Sequence, residues 1–156
     1  MEDKVKRLTG ILTLIIIMTL VLSCKPDGSN PGTDIPDTYF VGDPIVDLLF
    51  TSDEIWVGTT GGVVRCNLST GATQIYTVVD GLGSNKVRKL AQDSYGNIWA
   101  ACQTAGVSRF DGTEWKNFTV DDGLISNDVI TIEGDRQGMV WVSAYWGVSY
   151  YNGTGW

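Results

Sequence analysis

Side chains able to do chemistry are few in this chain, and their spacing is poor for catalysis. It contains no histidine, which removes the commonest general base and the commonest metal ligand together. Asp121 and Asp122 are adjacent carboxylates, but they belong to a turn that occurs twice and do not form an acid–base pair across a cleft. The stretch GTTGG at 58–62 resembles a phosphate-cradling loop. Such a loop leads from a strand into a helix; here another strand follows, so a hairpin is expected. No nucleophile–base pair, metal-ligand cluster or cofactor motif stands out. The expectation is a chain with no catalytic residue, metal or cofactor of its own. A net charge of -7 argues against nucleic acid as partner, because phosphate binding needs a basic surface.

Binding chemistry is better represented. Tyr145 and Trp146 are neighbouring aromatics in the short segment AYWG, where an exposed turn is expected. Large apolar side chains left wet usually mark contact with something. This pair could stack on a sugar ring, meet a protein partner, or cover an adjacent part of the fold. A second set, Asn85, Lys86 and Arg88 with Asn127 and Asp128, could offer hydrogen bonds and charge to a ligand. The alternative for that set is that the asparagines cap turns and the charges are solvated.

The second set lies in a repeat. DGLGSNKV at 80–87 returns as DGLISNDV at 122–129, after 42 positions. Trp56, Trp99 and Trp141 follow the same period, in EIWVGT, NIWAAC and MVWVSA. A Gly-Val pair follows each: Gly62-Val63, Gly106-Val107 and Gly147-Val148. FDGTEW at 110–115 is echoed by YNGTGW at 151–156. Self-similarity at this period signals a repeat architecture. Within a copy, four short strand-like runs are separated by turn residues, and no helical periodicity competes. The fold class is therefore all-β, built from β-propeller blades of four antiparallel strands; a β-helix would use a shorter coil. Blades are placed at about 43–79, 80–120 and 121–156, the last incomplete because Trp156 matches Trp115, which opens the fourth strand of its blade. Trp56, Trp99 and Trp141 are expected to pack between blades, and Asp93 and Asp135 to accept backbone N–H bonds across hairpins.

The repeated residues resemble the two-component regulator propeller family. DGLGSNKVRKLAQDSYGNIWAACQTAGVSRFDGTEWKNFTV, residues 80–120, carries the whole pattern of that family's blade. Blade one keeps IWVGTTGGVVRCN, but its first hairpin, TSDE, is two residues shorter. In that family such propellers form the sensory part of hybrid two-component systems and often sense carbohydrate oligomers. The runs beginning at Asp93 and Asp135 also resemble the sialidase Asp-box, with a spacing one residue too long. Three blades do not close a ring of four to eight. The expected partners are thus further blades completing a larger propeller, or a second copy.

The first 23 residues read as a targeting segment. Lys4, Lys6 and Arg7 precede an apolar run, Leu8 to Leu22, which is short for a membrane span. It ends in VLSC, which resembles a bacterial lipobox, with Cys24 as the lipidated residue. Removal of 1–23 leaves 8 basic against 16 acidic side chains. Residues 24–42, rich in Pro, Gly, Asp and Ser, read as a flexible tether. Cys66 and Cys102 have no framework spacing and are expected as free thiols. Together these features imply a protein of the Gram-negative cell envelope, lipid-anchored through Cys24 and facing the periplasm or the cell surface. It would be a non-catalytic module binding a carbohydrate or protein ligand, in the manner of a sensor. The alternative is the propeller part of an exported hydrolase or lyase whose catalytic residues lie elsewhere.

Overall fold

The computed structural model describes residues 43–156. The targeting segment, Cys24 and the tether at 24–42 lie outside the described residues. The described chain forms three antiparallel sheets in sequence order. The first contains β1 (Ile45–Phe50), β2 (Glu54–Thr59), β3 (Val63–Asn67) and β4 (Thr73–Tyr76). The second contains β5 (Val87–Gln92), β6 (Ile98–Cys102), β7 (Gly106–Phe110) and β8 (Trp115–Phe118). The third has β9 (Val129–Gly134), β10 (Val140–Ala144) and β11 (Gly147–Tyr151). Each sheet is a meander in which neighbours in sequence pair, as short strands joined by hairpin turns must. This is the expected set of propeller blades, with the third holding three strands.

Inner strands meet across neighbouring sheets, β1 with β5 and β5 with β9. Each carries a bulge one residue after its start, at Val46, Arg88 and Ile130. A bulge leaves one residue unpaired and re-aims its side chain, and here it does so at the same place in every copy.

The core lies between sheets. Trp56 of β2 is buried against Leu82, Phe110 and Trp115, which belong to the second copy of the repeat. Trp99 of β6 occupies the equivalent place against Leu124, Tyr151 and Trp156 of the third. Inter-blade packing is therefore correct for both, which are 2% and 0% exposed. Trp141 departs from the expectation at 40% exposure. Its position in the strand is unchanged, but no sheet among the described residues follows on its side. Tyr150 lies against it instead, its ring tilted by 35° at 5.0 Å between centroids.

Hairpin carboxylates hold these tryptophans as well as their own turns. Asp93 accepts N–H bonds from Tyr95 and Asn97, at 3.0 and 2.9 Å. Its other oxygen accepts the indole N–H of Trp99 at 2.8 Å. Asp135 repeats the scheme with Gln137, Met139 and, at 2.9 Å, Trp141. In the shorter first hairpin Glu54 takes over, accepting from Trp56 at 3.1 Å. The indole bond holds the Asp135 carboxyl below its ordinary range.

Cys102 is a free, buried thiol. Burial pushes its pKa up, and Ser108 Oγ lies 3.3 Å away. Cys66 corrects the sequence reading, because it is disulfide-bonded. An exported compartment permits such a bond; spacing arguments look for a framework of several pairs and pass over a single one.

Candidate functional site

Every residue selected from the sequence for ligand binding lies on the face formed by the turns that enter β1, β5 and β9 and by the β2–β3, β6–β7 and β10–β11 turns. Backbone bonds tie these two sets of turns together. Gln103 N–H donates to Lys86 C=O at 2.8 Å, and Gly106 N–H to Asn127 C=O at 2.8 Å.

The DGL turns explain their own recurrence. Thr77 precedes a single 3-10 turn, Val78–Asp80, and Asp80 accepts the Thr77 N–H at 2.8 Å. Thr119 and Asp122 repeat this, also at 2.8 Å. The next residue must adopt a left-handed backbone, and Gly81 and Gly123 supply it at φ 99° and 100°. Leu82 and Leu124 then drop into the two inter-blade cores. Finally Asn85 Oδ1 accepts from Val78 N–H at 2.8 Å, and Asn127 Oδ1 from Val120 N–H at 2.9 Å. Both asparagine oxygens therefore satisfy a free N–H of the turn.

The structure brings together only two of these ring-facing residues. Arg88, projected from the β5 bulge, reaches the next blade and pairs with Asp128 at 2.7 Å, while also donating to Val129 C=O at 2.7 Å. A second inter-blade link joins Asp47 to Lys89 at 3.0 Å and to the Leu90 N–H at 2.7 Å. Lys86 is exposed. The copies therefore differ in environment at this position: Asp128 is paired with Arg88, and Lys86 presents its charge to solvent.

Tyr145 and Trp146 form the tip of the β10–β11 turn and are 73% and 94% exposed. Behind them Ile125 packs so closely on Gly147 that a Cβ there would lie 2.5 Å from its Cδ1. Ile125 N–H also donates to Ser149 Oγ at 3.0 Å. The aromatic pair thus stands on a turn buttressed from below.

A feature that sequence reading missed lies on the opposite face. A groove of about 360 Å³ opens between the first two blades, lined by Thr51, Asp53, Arg65, Tyr95, Asn97 and Asp111, among others. The signal was the shortened TSDE hairpin. Between blades two and three the longer hairpin brings Tyr95 against Gly138 instead, where a Cβ would lie 3.0 Å from the tyrosine ring. Among the described residues no group of three or more His, Cys, Asp or Glu side chains could hold a metal ion.

Successive antiparallel meanders of four, four and three strands, with Trp56 and Trp99 buried between them, define this chain as β-propeller blades. Residues 81–104 match the family model described as two component regulator propeller. Among solved structures, one similar to the chain is the extracellular domain of BT3049 from B. thetaiotaomicron, described as a hybrid two component system. It is 24% identical with a TM-score of 0.62, over 70% of this chain and 16% of that one. The extracellular domain of BT4673 from the same organism gives 23% identity and a TM-score of 0.58, over 78% of this chain and 17% of that one. PorZ, a surface component of the type-IX secretion system of Porphyromonas gingivalis, gives 20% and 0.59, over 74% and 18%. The chain therefore spans less than a fifth of the length of these structures. No curated protein matches it.

Proposed function

We propose that these blades belong to an extracytoplasmic propeller that binds a ligand without transforming it, with carbohydrate as the ligand class. The observation that carries this reading is the Tyr145–Trp146 pair: two aromatic rings in solvent, on a buttressed turn. Flat aromatic faces suit the apolar faces of sugar rings, and a fixed turn lowers the ordering cost of binding. The carboxylates nearby are occupied structurally, Asp122 in its turn and Asp128 with Arg88. The family match and the extracellular setting of the BT3049 and BT4673 domains support a sensor-like role outside the cytoplasm.

The test is a glycan array probed with the protein and with Tyr145→Ala and Trp146→Ala. Each variant should lose roughly tenfold in affinity for whatever the parent binds, about 1.4 kcal/mol. Parent-like binding by both variants would remove the assignment.

A further inference from the structure

We propose that the groove between the first two blades binds a cationic side chain, arginine in preference to lysine, presented by a basic segment of a partner protein. It lies on the face opposite Tyr145 and Trp146, so it stands or falls independently of the carbohydrate reading. The groove encloses about 360 Å³, with Asp53 and Glu54 on the first blade's wall and Tyr95, Asn97 and Asp111 on the second's. Arg65, the cation in its lining, is already committed, because two of its guanidinium nitrogens donate to Glu54 Oε1. One unpaired carboxylate therefore remains on each wall. Among the described residues neither Asp53 nor Asp111 forms an ion pair. Like charges on facing walls repel, and a cation entering between them relieves that repulsion.

Neither charge is required by the turn that carries it. Asp111 Oδ1 accepts from the Thr113 N–H and hydroxyl and from the Glu114 N–H, at 2.6–3.0 Å. Asn67 Oδ1 accepts two backbone N–H bonds and one hydroxyl bond in the same way in the first copy, and Asn152 Oδ1 in the third. An amide oxygen thus builds this turn twice, and the Asp111 charge is left for another use. Asp53 is free for a different reason. The longer hairpins use Asp93 and Asp135 to hold the indole N–H, whereas the shortened one uses Glu54. Asp53 keeps only the Ser52 hydroxyl, at 3.0 Å. Tyr95 completes the set at 77% exposure. Its counterpart Gln137 makes the same hairpin bond without a ring. An aromatic face beside two carboxylates suits a guanidinium, which stacks on rings and donates in a planar fork. The fold already makes that combination once, since Arg65 bonds Glu54 and lies 5.4 Å from the Trp56 ring.

The experiment titrates the full chain, labelled with nitrogen-15, with the peptide acetyl-Gly-Arg-Gly-amide at low salt. Its citrulline analogue, which keeps the shape and loses the charge, is titrated alongside, as is the lysine peptide. The amide resonances of Tyr95, Asn97 and Gly112 should move with the arginine peptide, less with lysine, and stay in place with citrulline. Asp111→Asn keeps the acceptor that the other two copies use, so the turn is retained, and it should weaken binding roughly threefold. Tyr95→Leu should weaken it by a similar factor, about threefold. Asp121→Asn removes the same charge from an exposed position on the opposite face and should leave the affinity unchanged. Equal weakening by Asp111→Asn and Asp121→Asn would reveal general attraction to an acidic protein and overturn the proposal. Equal binding of the citrulline peptide would assign the groove to neutral polar ligands and overturn it too. So would groove resonances that do not move at millimolar arginine peptide.

Discussion

Replacing Trp99 by alanine tests the claim that stability resides between the blades. The indole is fully buried, donates to Asp93 at 2.8 Å, and touches Phe118, Tyr151 and Trp156 with centroids 5.2–5.9 Å apart. The Arg109 guanidinium lies 5.7 Å from its ring. Truncating a buried tryptophan costs about 3–5 kcal/mol, a large part of the roughly 5–15 kcal/mol that holds a domain. Trp141 is the internal control, since it has the same strand position and the same carboxylate partner. Its exposed ring has one close aromatic neighbour, so Trp141→Ala should cost about 1–2 kcal/mol. In urea, with a slope of about 1–3 kcal/mol per molar, Trp99→Ala should lower the midpoint by roughly 2 M and Trp141→Ala by well under half of that. Equal shifts would show that the tryptophan stabilises each blade from within, and the interface argument would fail.

Gly106→Ala should cost about 3 kcal/mol, because φ is +75° and the new Cβ would lie 2.1 Å from the Phe118 carbonyl oxygen. Gly96→Ala should cost only about 1 kcal/mol, since φ is +87° but the space is open; chemical denaturation of both separates crowding from backbone strain. Asp111 is held at about 2, first by the Thr113 hydroxyl and then by the backbone N–H groups of Glu114 and Thr113. A carboxyl whose folded pKa is depressed stabilises above its unfolded value and loses that contribution as pH falls through the folded one. Acid titrations of stability should therefore show a flatter slope between about pH 4 and pH 2 in Asp111→Ala than in the parent. Asn85→Ala and Asn127→Ala each strand one turn N–H and should each cost about 1 kcal/mol, adding in the double variant when unfolding is followed by circular dichroism.

The architecture could be read from the sequence because the same physical problem recurs in it. A turn that must start with a carboxylate, place a left-handed glycine and drop a leucine inward accepts few alternatives, so DGL appears where each blade hands over to the next. Contacts between copies were harder to read. The indole bonds of Asp93 and Asp135 join residues six apart across a hairpin, and turn chemistry alone accounts for the carboxylate without them. Trp141 misled because periodicity assigns an environment to a position, whereas burial depends on a neighbour being there. Arg88 and Asp128 were singled out separately for ligand binding; their ion pair crosses the blades, 40 residues apart in the chain. Nothing in the local spacing announces it. The groove lined by Asp53 and Tyr95 arises from two missing residues, a signal visible only by comparing copies.

That comparison also separates what the fold needs from what a ligand could use. The β2–β3 and β6–β7 turns are built with Thr60-Gly61 and Thr104-Ala105, and each is pinned to the inner turn beside it, by Thr60 N–H to Pro44 C=O and by Gln103 N–H to Lys86 C=O. The turn can therefore be made from small residues, and the blade gains nothing from large rings there. In the third copy the same turn displays Tyr145 and Trp146, almost wholly in water. Ile125 fills the space over Gly147, so the rings do not fold back onto their own blade. Exposed apolar area of this kind is unfavourable unless something outside the blade covers it. Trp141, also exposed, lies on the side of the sheet, whereas Tyr145 and Trp146 lie at its tip.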